Sequence, residues 1–572
     1  MTEFKRSIVN IAEICSQKNI SDIIISPGSR SAPVTLAFLR HPKLKCRTIV
    51  DERSAAFIAL GLAQQTERPV GLVCTSGTAG LNYGPAVAEA FYQQIPLLIF
   101  TADRPPEWID QNDGQTLDQR EMYGKRCREY FELPVDDFHP DAKWHAERII
   151  SAAINKSVWP IPGPVHINVP LREPLYPKSD FNYQSNPKII SHLPTHDVLL
   201  KDSWNEIASV WEKSNEILIV AGMHSPSSRL IESLSAIQKT SKALLLCDVT
   251  SNLQQAQKVN YYDSFLGTEN EEMLKKLVPD LLITFGGPVV SKSLKLFLRK
   301  FKPRMHWQLQ THGDCIDTFQ SLTQVIQTSA DYFFENLLMI LETEKTDVGT
   351  AHENYSSSWR NMQSKTAPQL HEFLETAPHC ELKAMRSVLR RLPPESHLQL
   401  GNSSIVRLAS FVGLTETSGL RVNSNRGTSG IDGTLSTAVG AALATPKMTT
   451  LILGDLAFFY DRNGLWNNYL PPNLRIIIFN NYGGGIFRIL AGSRDLPELD
   501  HHFEVEHNLS ARNSAADHGL NYFFCDSAKS LEEALPLFFS TKDKPAIMEV
   551  GFDKRTNAAT FFKFKSLMKE LK

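Results

Sequence analysis

The sequence predicts an α/β protein built from three parallel-sheet domains. Short apolar runs, each followed by a segment with helical spacing, recur along the chain. Buried parallel strands joined by crossover helices produce this pattern. Two polar, aperiodic stretches, 174–197 and 344–366, read as linkers. They divide the 572 residues into blocks of about 1–180, 195–342 and 367–572.

In the first block, "SDIIISPGSRSAPVTLAFLRH" (21–41) reads as strand, turn and helix. "RTIVDERSAAFIALGLAQ" (47–64) repeats the plan with Asp51-Glu52 at the junction. "PVGLVCTSGTAGLNYGPAVAEAFYQQIPLLIFTADRPP" (69–106) adds strand, Gly-rich turn, helix, strand and turn. The middle block carries "EILIVAGMHSPSSRLIESLSAIQKT" and "DLLITFGGPVVSKSLKLFLRKF", again strand before helix. The third block carries "TTLILGDLAFF" and "LRIIIFNNYGGG", and so shares its plan with the first.

A 42% hydrophobic content and a formal charge of −2 describe a chain with ample core material and no basic excess. That argues against a nucleic-acid binder, so "KSLKLFLRKFKPR" reads as a solvated helix face. Eight cysteines at 15, 46, 74, 127, 247, 315, 380 and 525 include no C-x-x-C pair, which fits reduced thiols. The apolar runs fall far short of the ~20 residues that span a bilayer, and "MTEFKRSIVNIAEICSQ" lacks a signal-peptide core. A cytoplasmic protein without a transmembrane segment is expected.

The chemistry concentrates in "GDLAFFYDRNGLWNNYLPPNLRIIIFNNYGGG" (454–485), where Asp455 follows one apolar run and Asn480-Asn481 the next. In an open parallel sheet, ligands bind beyond the carboxyl ends of the strands. The stretch "DRNGLWNNYLPP" is expected to supply the crossover helix between the two strands. One carboxylate and one amide oxygen suit a Mg²⁺ that takes its other oxygens from water and phosphates. Gly483, Gly484 and Gly485 would let the backbone approach a bulky anion, and a following helix start would add free N–H groups. A helix cap at Asp455 and a plain turn at the glycines stand as the other reading. Glu52 likewise reads either as a first-turn acid favoured by the helix dipole or as a working carboxyl.

"GD" followed about 25 residues later by "NN" resembles the fingerprint of the thiamine diphosphate-dependent enzymes. The resemblance implies Asp455, the Asn481 side chain and the Gly483 carbonyl as ligands of Mg²⁺ (or Mn²⁺). It makes Glu52 the acid that activates the aminopyrimidine ring. "TSGTAG" resembles the loop near the cofactor, so Thr75, Ser76 and Gly77 become cofactor-binding candidates with Ser429, Gly430, Ile431, Gly454, Leu456, Ala457, Gly484 and Ile486. Leu456 stands where many members have glycine. The family further implies three α/β domains: pyrimidine-binding (1–180), central (195–342) and diphosphate- and metal-binding (367–572). It implies a homodimer or dimer of dimers with its sites between subunits.

Six stretches in order, "SPGSRSAP", "DERSA", "TADRPPEWID", "GNSSIVR", "SNRGTSGIDGTLSTAVG" and "NNYGGGIF", resemble the thiamine-dependent carboligases of menaquinone biosynthesis. That subfamily implies decarboxylation of 2-oxoglutarate and addition of the succinyl carbanion equivalent to isochorismate. Both substrates are dicarboxylic acids, and planar Arg forks bind carboxylates bidentately. The resemblance assigns Arg30, Arg104, Arg407 and Arg426 to the substrates, with Gln115, Ser403, Lys292 and Phe487 beside them. Ser293 replaces a second basic residue found next to the lysine in some members. For any one arginine, a surface ion pair is the competing reading.

The pair His501-His502 lies in a polar stretch and reads as exposed, so no histidine is expected beside Glu52. A ligase must avoid early protonation of its intermediate, and this absence agrees with carbon–carbon bond formation. Other readings are an acetolactate synthase-type carboligase acting on pyruvate, a cofactor-fold scaffold without activity, and a nicotinamide dehydrogenase. The last lacks a G-x-G-x-x-G fingerprint after any early strand.

Overall fold

The computed structural model describes residues 5–176, 183, 186–193, 195, 197–240, 243–344, 350–414 and 419–571. Three sheets form, and the strand pairings in all three are parallel. The first contains β1 (Asp22–Ile25), β2 (Lys45–Thr48), β3 (Val70–Cys74), β4 (Leu97–Asp103), β5 (Tyr130–Glu132) and β6 (Pro164–Pro170), in the order β2-β1-β3-β4-β6-β5. The second contains β7 (Ile217–Ala221), β8 (Ala243–Cys247), β9 (Leu281–Phe285), β10 (Met305–Gln310) and β11 (Gln324–Gln327), ordered β11-β10-β9-β7-β8. The third contains β12 (His397–Leu400), β13 (Arg421–Ser424), β14 (Thr449–Gly454), β15 (Leu474–Asn480), β16 (Asn521–Cys525) and β17 (Ala546–Gly551), ordered β13-β12-β14-β15-β17-β16.

The first and third sheets therefore share one topology, and the shared strand-turn-helix plan reflects it. Central strands β3, β4, β7, β9 and β15 are buried along their whole length. This follows from helices covering both sheet faces, and it explains the continuous apolar runs. All eight cysteines are free. Among the described residues no helix is long and apolar enough to cross a membrane.

Within the predicted linker at 174–197, the described residues (174–176, 183, 186–193, 195 and 197) form no helix or strand. The second linker is corrected: Thr350–Thr376 forms a single helix, while 345–349 lie outside the described residues. Tyr355, Trp359, Met362, Leu370 and Leu374 of this helix are buried in a core that joins the second and third sheets. Their spacings of four, three, eight and four residues follow the helical repeat, but polar neighbours at the intervening positions mask it.

First and third sheets also share a core. Helix Glu52–Thr66 crosses helix Thr434–Ala444 at backbone contact. A Cβ at Gly61 would lie 2.0 Å from the Thr437 carbonyl oxygen, and one at Gly440 would lie 2.0 Å from that of Ile58. Only glycine permits this approach. Next to the crossing, buried Asp461 accepts hydrogen bonds from Ser436 N and Oγ, both at 2.7 Å. Burial pushes the Asp461 carboxyl up to about 7, against the opposing effect of the Ser436 bonds.

Two outcomes are expected. Gly440→Ala should destabilise the protein by about 1–3 kcal/mol or more, read from the denaturant midpoint, because the contacted atom is backbone and cannot step aside. For Asp461, the folded-state pKa lies above the unfolded carboxyl value of about 3.9. The folded protein thus binds the extra proton through the window from about pH 4 to about 7, and the contribution is lost as pH rises. The unfolding free energy of wild type relative to Asp461→Asn should fall across that window. A difference independent of pH would refute the shifted carboxyl.

Candidate active site

Most of the sequence-predicted residues follow the carboxyl ends of strands in the first and third sheets, on loops or in the first turns of the helices behind them, where an open parallel sheet places ligands. Asp455 directly follows β14 and Asn481 follows β15, and these are neighbouring parallel strands. The crossover between them starts earlier than expected. Helix Asp455–Asp461 begins at the acid itself and continues as a 3₁₀ turn, Arg462–Leu465. Asp455 is thus a first-turn acid as well as a strand-end acid.

Asp455 is buried, and its Oδ2 accepts from Gly483 N at 2.9 Å while Oδ1 accepts from Leu456 N at 2.7 Å. His507 Nε2 lies 3.3 Å from Oδ2. The Asn481 Nδ2 donates to Glu381 Oε1 at 2.6 Å, whereas Asn481 Oδ1 is buried without a hydrogen-bond partner. Burial pushes the Glu381 carboxyl up to about 7; the bond from Asn481 lowers it and the charge of Asp455 raises it further. Glu381 and His507 were not legible as site residues. One reads as an ordinary first-turn acid and the other as a loop histidine.

The glycine run does not open a long helix. Gly484 N donates to the Glu504 carbonyl at 2.6 Å, and Ile486–Ile489 make one turn. The Phe487 ring packs 5.8 Å from that of Phe503. His501 and His502 are exposed in a short helical turn, Leu499–Phe503.

On the first sheet, Glu52 opens helix Glu52–Thr66 behind the N-cap Asp51, whose side chain accepts from Ser54 N. Glu52 is half-buried, and its Oε2 accepts from Asn82 Nδ2 at 3.3 Å. No histidine contacts it among the described residues. Thr75 and Ser76 are buried, Thr75 Oγ1 has no partner, and Gly77 N donates to Gln119 Oε1 at 3.0 Å. Gln115, at φ 56°, lies against Gly77.

The arginines form two pairs. Arg30 is buried, donates to the Leu171 carbonyl at 3.1 Å and lies 3.6 Å from Glu173. Burial lowers its pKa, and the neighbouring positive charge of Arg104 lowers it further. Arg104 pairs with Asp113 at 2.7 Å and keeps a buried Nε without a partner. On the third sheet, Arg407 bonds the Ser403 carbonyl and Arg426 donates to Asn402 Oδ1 at 3.1 Å. Burial lowers the pKa of both, and Arg426 adds to the effect on Arg407. Asn402 also donates to the Gly430 carbonyl at 2.6 Å, which fixes the loop carrying Ser429 (φ 65°) and half-buried Ile431. Lys292 opens helix Lys292–Lys300 of the second sheet and is exposed.

No hydrogen bond or ion pair joins Arg30 or Arg104 to Arg407, Arg426 or Lys292. The first and third sheets are tied elsewhere. Buried Glu89 accepts from Gly427 N at 2.7 Å and from Thr428 N and Oγ1, each at 2.6 Å. Arg53 donates to the Tyr460 carbonyl, and Asn463 to Asp51 Oδ2, both at 2.8 Å.

Comparison with known proteins decides the family. The profile of the thiamine pyrophosphate enzyme N-terminal TPP binding domain matches residues 9–122, and that of the thiamine pyrophosphate enzyme middle domain matches 178–398. A 2-succinyl-5-enolpyruvyl-6-hydroxy-3-cyclohexene-1-carboxylate (SEPHCHC) synthase of Cytophaga hutchinsonii is 41% identical over 99% of both chains. Those of Flavobacterium johnsoniae (40%, 95% of both) and Desulfotalea psychrophila (36%, 96% of this chain and 98% of the relative) agree. The chain belongs to the SEPHCHC synthase family. It is a thiamine diphosphate-dependent enzyme of the carboligase type, and an acetolactate synthase-type enzyme is not favoured.

The site of this SEPHCHC synthase relative fits the diphosphate end of such a cofactor. A buried amide oxygen with no partner costs about 1–3 kcal/mol, and a cation held between Asn481 Oδ1 and Asp455 would remove that cost. No group of three or more His, Cys, Asp or Glu able to hold a metal occurs among the described residues. A donor set of one carboxylate, one amide and a backbone carbonyl leaves room for phosphate oxygens, as Mg²⁺ prefers.

Proposed function

We infer that this protein decarboxylates 2-oxoglutarate and joins the remaining four-carbon unit to isochorismate. The products are CO2 and SEPHCHC, which retains the enolpyruvyl group. The observation that carries this reading is the presence of two arginine pairs, Arg30 with Arg104 and Arg407 with Arg426, in a SEPHCHC synthase family chain; Arg30, Arg104 and Arg426 stand on strand-end loops and Arg407 in the helix Ser404–Val412. Like charges held together in partly buried positions repel, and a dicarboxylate offsets that repulsion.

Bound thiamine diphosphate supplies an acidic thiazolium carbon on which a 2-oxo acid can lose CO2. Asp455, Asn481 and the Gly483 carbonyl would hold Mg²⁺ or Mn²⁺ against its diphosphate. Gly454, Leu456, Ala457, Gly484 and Ile486 would line that end. Thr75, Ser76, Gly77, Ser429, Gly430 and Ile431 would line the rest of the cofactor site. The Glu52 carboxyl would hold a proton at the ring nitrogen of the aminopyrimidine. Arg30, Arg104 and Gln115 would orient one carboxylate-bearing substrate; Lys292, Ser403, Arg407 and Arg426 would orient the other, with Phe487 as an apolar wall.

A carboxyl in this role works best in a dry site, yet Glu52 is half-exposed in a single chain. We therefore assign the complete site to a homodimer, or a dimer of dimers, in which the Glu52 loop of one protomer faces the Asp455 loop of its partner. The three sheets take the roles of pyrimidine-binding, central and diphosphate-binding domains, with the reaction in the cytoplasm.

The test is product analysis by mass spectrometry with 2-oxoglutarate, isochorismate, thiamine diphosphate and Mg²⁺. SEPHCHC and CO2 are expected; acetolactate from pyruvate would overturn the reading. Glu52→Gln should keep cofactor affinity, measured by tryptophan fluorescence, and lose at least about 100-fold in kcat, the scale of general acid–base catalysis. Near-normal kcat would remove Glu52 from proton transfer.

A further inference from the structure

Two contacts fix the amide of Asn481. Its Nδ2 donates to Glu381 Oε1 at 2.6 Å. A Cβ placed on Gly485 would lie 2.7 Å from Nδ2, 3.1 Å from Cγ and 3.3 Å from Oδ1, so the amide rests against bare backbone. Its remaining polar atom, Oδ1, is buried without a partner. An asparagine amide has two ends of similar shape and opposite polarity, and its neighbours choose between them. Here the Glu381 oxygen accepts from the NH2 end, and that bond selects the orientation. The flipped amide would set Oδ1 against the carboxylate and turn N–H groups toward the position assigned to a cation. Glu381 is itself anchored. Its backbone N donates to Asn557 Oδ1 at 2.9 Å, and it opens helix Glu381–Arg391, where the helix dipole favours an acid.

We propose that Glu381 is a positioning residue for the metal. By holding Asn481 Nδ2, it orients Oδ1 toward the cation shared with Asp455, and Gly485 supplies the space that this orientation needs. The inference rests on the metal reading of Asp455 and Asn481. Partners that orient a metal ligand in this way typically contribute about 10–100-fold in affinity.

The test is Mn²⁺ titration of the full-length protein with thiamine diphosphate present, following free Mn²⁺ by electron paramagnetic resonance. Glu381→Ala should weaken Mn²⁺ binding by about 10–100-fold. Glu381→Gln, whose amide oxygen still accepts from Nδ2, should stay within about threefold of wild type. Gly485→Ala displaces the amide without changing any charge, and it should weaken binding as Glu381→Ala does. Wild-type affinity in Glu381→Ala or Gly485→Ala would overturn the proposal. Equal losses in Glu381→Ala and Glu381→Gln would also overturn it, since the carboxylate would then act through its charge. Asp455→Ala separates the two levels. Unchanged Mn²⁺ binding there sinks the metal reading itself, whereas loss there with wild-type binding in Glu381→Ala sinks only the positioning role.

Discussion

The architecture depends on one backbone crossing. Gly61 and Gly440 let helices Glu52–Thr66 and Thr434–Ala444 approach until carbonyl oxygens occupy the space a Cβ would need. Each helix carries a sheet behind it, so the crossing merges the cores of the first and third sheets. It also fixes the loops at both sheets' carboxyl ends. Asp51 meets Asn463, Arg53 meets the Tyr460 carbonyl, and Glu89 holds the backbone of Gly427 and Thr428. The loop bearing Glu52 and the loop bearing Ser429 and Ile431 are therefore placed by packing far more than by their own sequences.

Charge is distributed over this frame in a way that packing does not require. Arg30 is influenced by Arg104, Glu173, Asp113 and Asp103, Arg104 pairs with Asp113, and Arg407 feels Arg426 and Asp263. Arg30 and Arg407 draw their charge influences from different neighbours, so the two arginine clusters are electrostatically separate. Replacing such arginines with apolar residues would simplify folding, because buried charge is costly to desolvate.

The sequence made most of the fold readable because the rules that apply are local. Apolar runs marked the strands, and Gly-rich or acidic junctions marked the turns that carry Thr75, Asp455 and Asn481. The helix Thr350–Thr376 escaped because its buried positions, Tyr355, Trp359 and Met362, sit among polar residues with little apolar bulk between them. Glu381 escaped for a different reason. It lies 100 residues from Asn481 in the chain, and only the tertiary packing of helix Glu381–Arg391 brings it to the loop after β15. Arg30 and Arg407 were singled out only through the motifs around them, since an isolated arginine has no distinguishing local pattern.

The metal end of the site shows how orphaned polarity and supporting contacts combine. Asp455 already accepts from Leu456 N and Gly483 N and lies near His507, so its carboxylate is oriented before any cation arrives. Asn481 gives its only donor group to Glu381 and leaves its acceptor unused. A buried acceptor left open beside a preorganised carboxylate is unfavourable in the isolated chain. On the metal reading proposed above, a cation with phosphate oxygens would relieve that cost, because no side chain would have to turn at that moment. The gain on binding would then be prepared during folding, by the contacts that already hold Asp455 and Asn481.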